Sequence, residues 1–261
     1  GELIGQATIT NQAGLTLTGT QLRLVAGEVE FDDDAPTGRL SAPMMLHEAS
    51  PQYEQREIQG GHMYTMPHPV DIGPNEAVRI PLIAARTIQV EPYLAATSNA
   101  MPQRWSEGAT TDHPRTMLRI HNHAQQGLGI PLPQGVVRVY GTTESGPVLV
   151  GESAMGHIPV DTTAKLHLGK SFDVILERRM LDYQELGRNA ARCTWEIRIH
   201  NAKNAPQRLE LTEGFHGEWS IQTPSHPFTQ KDSRTALFDL NLPPTSGHNP
   251  VVVRYTVEAR W

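Results

Sequence analysis

Apolar and polar residues alternate with period two at many points along the chain, the mark of strands with one buried and one wet face. At the C-terminal end, Val251, Val253, Tyr255, Val257 and Ala259 fall on one face, and Val252, Arg254, Thr256, Glu258 and Arg260 on the other. Trp195, Ile197 and Ile199 alternate with Glu196, Arg198 and His200, and Leu209 and Leu211 with Arg208, Glu210 and Thr212. Nearer the start, Leu22, Leu24 and Ala26 alternate with Gln21, Arg23 and Val25, and Val78, Ile80 and Leu82 lie in phase. Helical spacing is scarce. Glu177 to Leu186 places Met180, Leu181, Tyr183 and Leu186 loosely on one face, with Gly187 positioned as a cap. The same stretch also reads as the end of a strand and a loop.

This pattern predicts an all-β chain of two antiparallel β-sandwich-like modules, residues 1–128 and 129–261, with a boundary near Gly127–Pro133. The C-terminal module is expected to be the more regular, Ig-like, with seven or more strands. Two stretches lack any sustained period and carry several breakers, residues 32–61 and 97–115, and are expected to be long loops. The first is expected to be an exposed excursion, with Met44, Met45 and Leu46 outside the core. One phrase recurs: Ile9-Thr10-Asn11, Ile120-His121-Asn122 and Ile199-His200-Asn201, each ending an alternating strand. Asn tolerates the left-handed conformation and bonds nearby backbone, so it suits a strand exit. The irregular spacing makes this a recurring hairpin grammar and not a solenoid.

Composition supports strands. The 22 Gly and 20 Pro among 261 residues imply many short elements and turns. The net charge of −6 resides in residues 1–128, while 129–261 is neutral. Neither half has the basic excess that nucleic acid requires, and no polybasic stripe faces an anionic membrane. No apolar run reaches the ~18 residues of a membrane span. A single cysteine, Cys193, excludes an internal disulfide and a thiolate cage. The chain opens in a strand pattern with neither a starting Met nor a signal peptide, which reads as an excised fragment.

Histidine is the one enriched reactive type, with 12 residues. His121 and His123 form H-x-H on a strand, a spacing that places both rings on one face as metals use them. His113 or the His62/His68 loop would supply a third ligand; otherwise the pair is simply polar residues at a strand end. Glu28, Glu30, Asp32, Asp33 and Asp34 form an acidic run suited to a hard cation or to solvent, without the EF-hand spacing. Ser153, in G-E-S-A-M-G, is one residue out of register for a nucleophile elbow. Cys193 precedes a strand, with no helix N-terminus to activate it. His47-Glu48 is followed by Ala-Ser-Pro, not the spacing of a zinc protease, and no Gly-rich phosphate loop is present. Trp195, Trp219 and Trp261 fall on or beside strands and are expected to fill cores. Trp105, beside Arg104 in a polar loop, is a candidate for stacking on a sugar or partner. No residue is assigned as catalytic, cofactor-binding or metal-binding, and no cofactor is implied.

From Gly127 onward the runs GLGIPLPQGVVRVYG, VGESAMGHIPV and LHLGKSFDVILERR carry an ordered series of motifs. Gly127, Gly129, Leu132, Pro133, Gly135, Arg138, Val139 and Tyr140 form the first. Gly151, Glu152, His157 and Pro159 form the second, and Leu166, Gly169, Phe172, Asp173 and Val174 the third. With the opening ITNQAGLTLTGTQLRLVAGEV, Gly217-x-Trp219 and the ending RYTVEARW, the chain resembles the bacterial family called domain of unknown function 4139. The two long loops lie outside the likeness. The resemblance implies a β-rich domain of an exported, periplasmic or envelope protein, preceded by a further region, which is a coiled coil in mucoidy-inhibitor-like relatives. It brings no catalytic residue; its motif positions read as turn makers and core fillers. The expected function is a non-catalytic binding or assembly module of the bacterial envelope with a protein or glycan partner. The alternatives are a metal-dependent or hydrolytic enzyme using the histidines, and a carbohydrate-binding module using Trp105.

Overall fold

The structure is a computed structural model and describes residues 1–27, 54–58, 60–66, 68–102, 108–245 and 248–261. The first stretch of chain forms β1 (Glu2–Thr10), β2 (Leu17–Thr20), β3 (Arg23–Gly27), β4 (Glu54–Ile58), β5 (Gly61–Thr65), β6 (Val70–Ile72) and β7 (Ala77–Thr87). The middle forms β8 (Val90–Asn99), β9 (Thr110–Asp112), β10 (Arg115–His121), β11 (Gly135–Thr143), β12 (Gly146–Met155) and β13 (Thr163–Lys170). The remainder forms β14 (Val174–Gly187), β15 (Ala190–Asn201), β16 (Gln207–Gly214), β17 (Glu218–Gln222), β18 (Thr229–Asp232), β19 (Thr235–Leu242) and β20 (Val251–Arg260). A single 3-10 turn, Ala124–Gln126, is the one helical element among the described residues. The architecture is all-β, built of several antiparallel sheets in a sandwich-like arrangement.

The helical reading of Glu177 to Leu186 gives way to strand. The whole segment belongs to β14, which pairs with β15 from Val174↔Asn201 to Gly187↔Ala190. A register shift between Met180 and Asp182 moves the side chains out of strict alternation, which is why the apolar spacing looked loosely helical.

Two compact units appear, and neither is a continuous half of the sequence. The first comprises Gly1–Val90, Ile120–Gly135 and Ala154–Ala164; the second comprises Glu91–Arg119, Val136–Ser153 and Lys165–Trp261. A cut at 128/129 therefore does not describe them. One contribution is the parallel pairing Leu209↔Leu94 through Gly214↔Asn99, which draws β8 into the sheet β13-β10-β8-β16-β19-β18 and so 91–119 into the second unit. Local alternation specifies a strand but not a partner far away in sequence. The expected loops are also shorter than expected. β4 and β5 occupy the end of 32–61, and β8 and β9 enter 97–115, β9 by pairing with β14. The stretch holding Met44, Met45 and Leu46 lies outside the described residues.

In the second unit the six-stranded sheet faces a five-stranded one, β17-β20-β15-β14-β9. Leu94, Leu209, Leu211, Phe238 and Leu240 meet Val174, Trp195, Ile197, Ile199, Val253, Tyr255 and Val257 in one core. The alternation read at 195–199 and 251–259 is thus in the correct register. The core of the first unit is smaller: Tyr64, Met66 and Ile80, with Ile9, Leu22, Leu24 and Val78 packed against them. Three aromatic residues expected inside are not there. Phe172 is 88% exposed, Tyr140 57% and Trp261 49%, so these motif positions do not fill a core.

The recurring Ile-x-Asn phrase proves to be one device used three times. Asn11, Asn122 and Asn201 are buried, and each side-chain amide clamps the turn that leads into the strand paired with its own. Asn11 Nδ2 donates to Gly73 O at 2.9 Å, Asn122 Nδ2 to Pro159 O at 2.8 Å and Asn201 Nδ2 to Pro243 O at 2.9 Å. Two residues past each of those carbonyls the chain turns left-handed, at Asn75, Asp161 and Thr245. The strands so joined are β1 with β7, β10 with β13 and β15 with β20. Each amide also donates into the loop that follows it, to Leu15 O, Ile130 O and Ala205 O. Each Oδ1 accepts a backbone N–H at 3.0 Å, from Ala13, Gly129 and Lys203. Asn is required because a buried side chain must both donate and accept here. The clamping Asn is not itself left-handed, contrary to the expectation; that conformation belongs to the turn it holds.

Candidate binding cleft

The first unit contains a cleft of about 460 Å³. One wall is strand backbone, Ala26–Gly27 of β3 and Gly60 to His62 at the start of β5, with Glu57 of β4 beside it. The other is formed by Pro131, Leu132 and Pro133 together with His157, Ile158 and Pro159. Leu132 and Ile158 hold this second wall together by a two-way backbone bridge, with both N–H···O distances 2.9 Å. Three prolines and glycine-rich backbone leave the walls few rotamers to freeze, so a ligand would meet a largely preformed surface. The loop entering the second wall depends on Gly127 and Gly129, both left-handed, with φ of 92° and 75°. A Cβ at Gly127 would lie 2.0 Å from Thr87 O, so no other residue fits.

The polar groups of the cleft are few and oriented. Tyr64 is buried, and its hydroxyl donates to Pro131 O at 3.1 Å. Burial pushes its pKa up, so it remains a donor. His157 Nδ1 accepts the Gln134 backbone N–H at 3.2 Å. The neutral ring therefore carries its proton on Nε2 and presents a donor there. His62 and Glu57 complete the set.

The histidines read as metal candidates are arranged otherwise. His121 ends β10 and His123 lies past the strand, at the start of the 3-10 turn, with the two rings stacked at 6.2 Å between centroids and 18° between planes. Each ring has its own partner: His121 Nδ1 lies 3.1 Å from Thr163 Oγ1, and His123 Nδ1 lies 2.9 Å from Asp161 Oδ1. His113 Nδ1 is engaged by Ser171 O at 3.0 Å. Among the described residues, no three His, Cys, Asp or Glu side chains come together to hold a metal ion. Ser153 lies within β12, where its Oγ accepts the His167 N–H at 3.2 Å. Cys193 is buried and its thiol is pushed up to about 12, chiefly by that burial, so it carries no thiolate at neutral pH. Glu28, Glu30, Asp32, Asp33, Asp34, His47, Glu48, Arg104 and Trp105 lie outside the described residues.

Sequence reasoning missed the cleft, although a signal was present. Leu132 and Pro133 come from one family-like motif, and His157 and Pro159 from another, and the four meet in one wall. Nothing in either motif alone indicates that they are neighbours.

The second unit carries its main electrostatic feature inside the core. Glu213, fully buried on β16, receives Arg178 Nη1 at 2.6 Å on both carboxylate oxygens. Tyr255 Oη donates to Glu213 Oε2 at 2.8 Å and Ser98 Oγ to Oε1 at 2.9 Å. The Arg178 guanidinium lies over the Trp195 ring, 4.0 Å from its centroid. Burial opposes the charge on Arg178, but Glu213 and Tyr255 outweigh it and hold the pKa above its ordinary value. Burial, reinforced by Glu213, pushes the Tyr255 hydroxyl well up. The cluster links β14 and β20 of one sheet to β8 and β16 of the other. No helix among the described residues is long and apolar enough to cross a membrane. A scan against protein-family models finds no match to this chain, and searches of curated proteins and of solved structures find none either.

Proposed function

We propose that the chain is a binding module of the bacterial cell envelope, related to the domain of unknown function 4139 proteins, which captures a protein or glycan partner through the cleft of its first unit. In this reading the module is exported, and its C-terminal part is an Ig-like sandwich. The observation that carries the reading is the convergence of Leu132, Pro133, His157 and Pro159 on one wall of the cleft. That wall faces strand backbone and a pinned tyrosine, an arrangement suited to orienting a ligand by a few donors on a stiff frame. The test is a glycan array followed by amide shift mapping of any hit. Shifts confined to residues 60–64, Leu132, His157 and Ile158, with binding weakened about tenfold by His157→Ala, support the proposal. Stoichiometric zinc that is lost in a His123→Ala variant would instead favour a metal-dependent enzyme and sink it.

A further inference from the structure

The outer face of the five-stranded sheet carries a second buried carboxylate. Glu196, at the middle of β15, has a side chain 1% exposed although its face looks away from the core. It is covered by three arginines. Arg179 and Arg254 are its direct cross-strand partners, on β14 and β20 respectively, and Arg198 stands two residues along β15. Arg179 donates to Glu196 Oε1 from Nε at 2.8 Å and from Nη2 at 2.6 Å. Arg198 Nε donates to the same oxygen at 3.0 Å, and Arg254 Nη2 donates to Oε2. The guanidiniums themselves are 43–55% exposed.

One carboxylate against three guanidiniums leaves an excess of two positive charges on this patch. Of the neighbouring carboxylates, Glu177 stands directly across from Arg198 and offsets part of this excess, leaving the patch positive. Glu177, across from Arg198, lies 3.8 Å from His200, and Glu258 is taken up by Arg192. Thr194 and Thr256 bond each other, and Ser225, whose Oγ contacts His226 Nδ1, accepts the Arg254 backbone N–H. Three like charges confined across adjacent strands repel one another. Glu196 already accepts four hydrogen bonds, while Nη1 and Nη2 of Arg198 have no acceptor among the described residues. Three partly exposed guanidiniums gathered around one carboxylate bring together N–H donors of the kind that match the oxygens of phosphate or sulfate.

We propose that the Arg179–Arg198–Arg254 triad, held by Glu196, is a binding site for a tetrahedral oxyanion, phosphate or sulfate, either free or carried on a polymer. Glu196 is the positioning residue: it fixes the three forks so that little side-chain entropy is lost on binding. The site belongs wholly to the second unit and does not depend on the cleft.

The test titrates the full chain with inorganic phosphate, and separately with polyphosphate, against chloride at matched ionic strength. Affinity is read by calorimetry and the site by arginine side-chain shifts. Phosphate should bind and move the Arg198 signals, and Arg198→Gln should weaken binding at least tenfold. Arg192→Gln, on the same face but tied to Glu258, should leave binding within twofold. Tighter binding of polyphosphate than of phosphate assigns the polymer as the source; equal binding assigns the free ion. A response no greater than that to chloride, or one undiminished in Arg198→Gln, overturns the proposal. Should Arg198→Gln melt much below the parent, Arg254→Gln read by the same shifts takes its place.

Discussion

Glu213 and Glu196 are both sealed from solvent in the same unit, yet their surroundings differ in one decisive respect. Glu213 points into the sandwich, where one guanidinium, one phenol and one hydroxyl meet it, so the cluster closes on zero net charge. Glu196 points outward and is closed over by three guanidiniums, so its cluster remains charged and open to water. Burial of a carboxylate thus serves two ends. Inside, balance is required because an unpaired charge in an apolar core is strongly unfavourable. At the surface, water screens an excess that the core would reject, and the excess is what an external anion would recognise.

The largest expected effect comes from unbalancing the inner cluster. Arg178→Met leaves the Glu213 carboxyl buried without its partner, and should lower the unfolding free energy by about 3–5 kcal/mol in urea titrations. Arg178→Met with Glu213→Leu removes both charges and should recover most of that loss, since an apolar pair of similar volume is often as stable. A single-variant loss below about 1 kcal/mol would show that water reaches Glu213 and that the contrast with Glu196 is one of degree.

The outer cluster should respond less strongly, and with a distinct pH dependence. Its three arginines, Arg254 foremost, hold the Glu196 carboxyl down to about 2, below its ordinary 4.5. A depressed carboxylate contributes stability that is fully present above the unfolded pKa and is lost as pH falls through the folded one. Glu196→Gln should therefore cost about 1.5–3 kcal/mol near neutrality, the worth of hydrogen bonds to a charged group. The gap between parent and variant should hold down to about pH 4.5 and close towards pH 2 in thermal melts. A gap that does not change with pH would show that the loss reflects shape and not charge.

These two clusters also show how far the sequence could be read. The alternation Leu209, Leu211 places Glu213 next on the inward face, and Val174, Leu176 does the same for Arg178. A charge in the apolar phase is itself a signal of a buried partner, and both residues carried it. Their pairing with each other was not legible, because it depends on two sheets meeting face to face. Glu196 was legible only as an outward residue, and in that respect the reading was correct. Its burial comes from Arg179 and Arg254 on neighbouring strands, and strand order is a long-range property. The cleft was hidden for the same reason, since Leu132 and Ile158 lie 26 residues apart and meet through a single bridge. All-β character, the inward phase of the main strands and the recurrence of Ile-x-Asn at strand exits rest on local pattern and were visible; the clamp each Asn makes on a distant turn was not.

The smallest effect belongs to a pair that serves as the control for both clusters. Arg192 and Glu258 face each other across β15 and β20 on the same outer surface, with N–H···O distances of 2.8 Å and 2.5 Å. Their side chains are 41% and 35% exposed, so water already solvates each charge in the absence of the other. Exposed ion pairs of this kind gain little, because holding two long side chains in one geometry offsets most of the attraction. Arg192→Ala should change the unfolding free energy by less than about 1 kcal/mol, and the change should shrink further in 0.5 M salt. The comparison is sharp because strand pair and sheet face match those of Glu196 and Arg254, while the carboxylate is exposed and has one arginine partner in place of three. If Arg192→Ala cost as much as Glu196→Gln, burial would not be what sets Glu196 apart. The triad would then be one more row of cross-strand charge pairs, with no excess held in place for an anion.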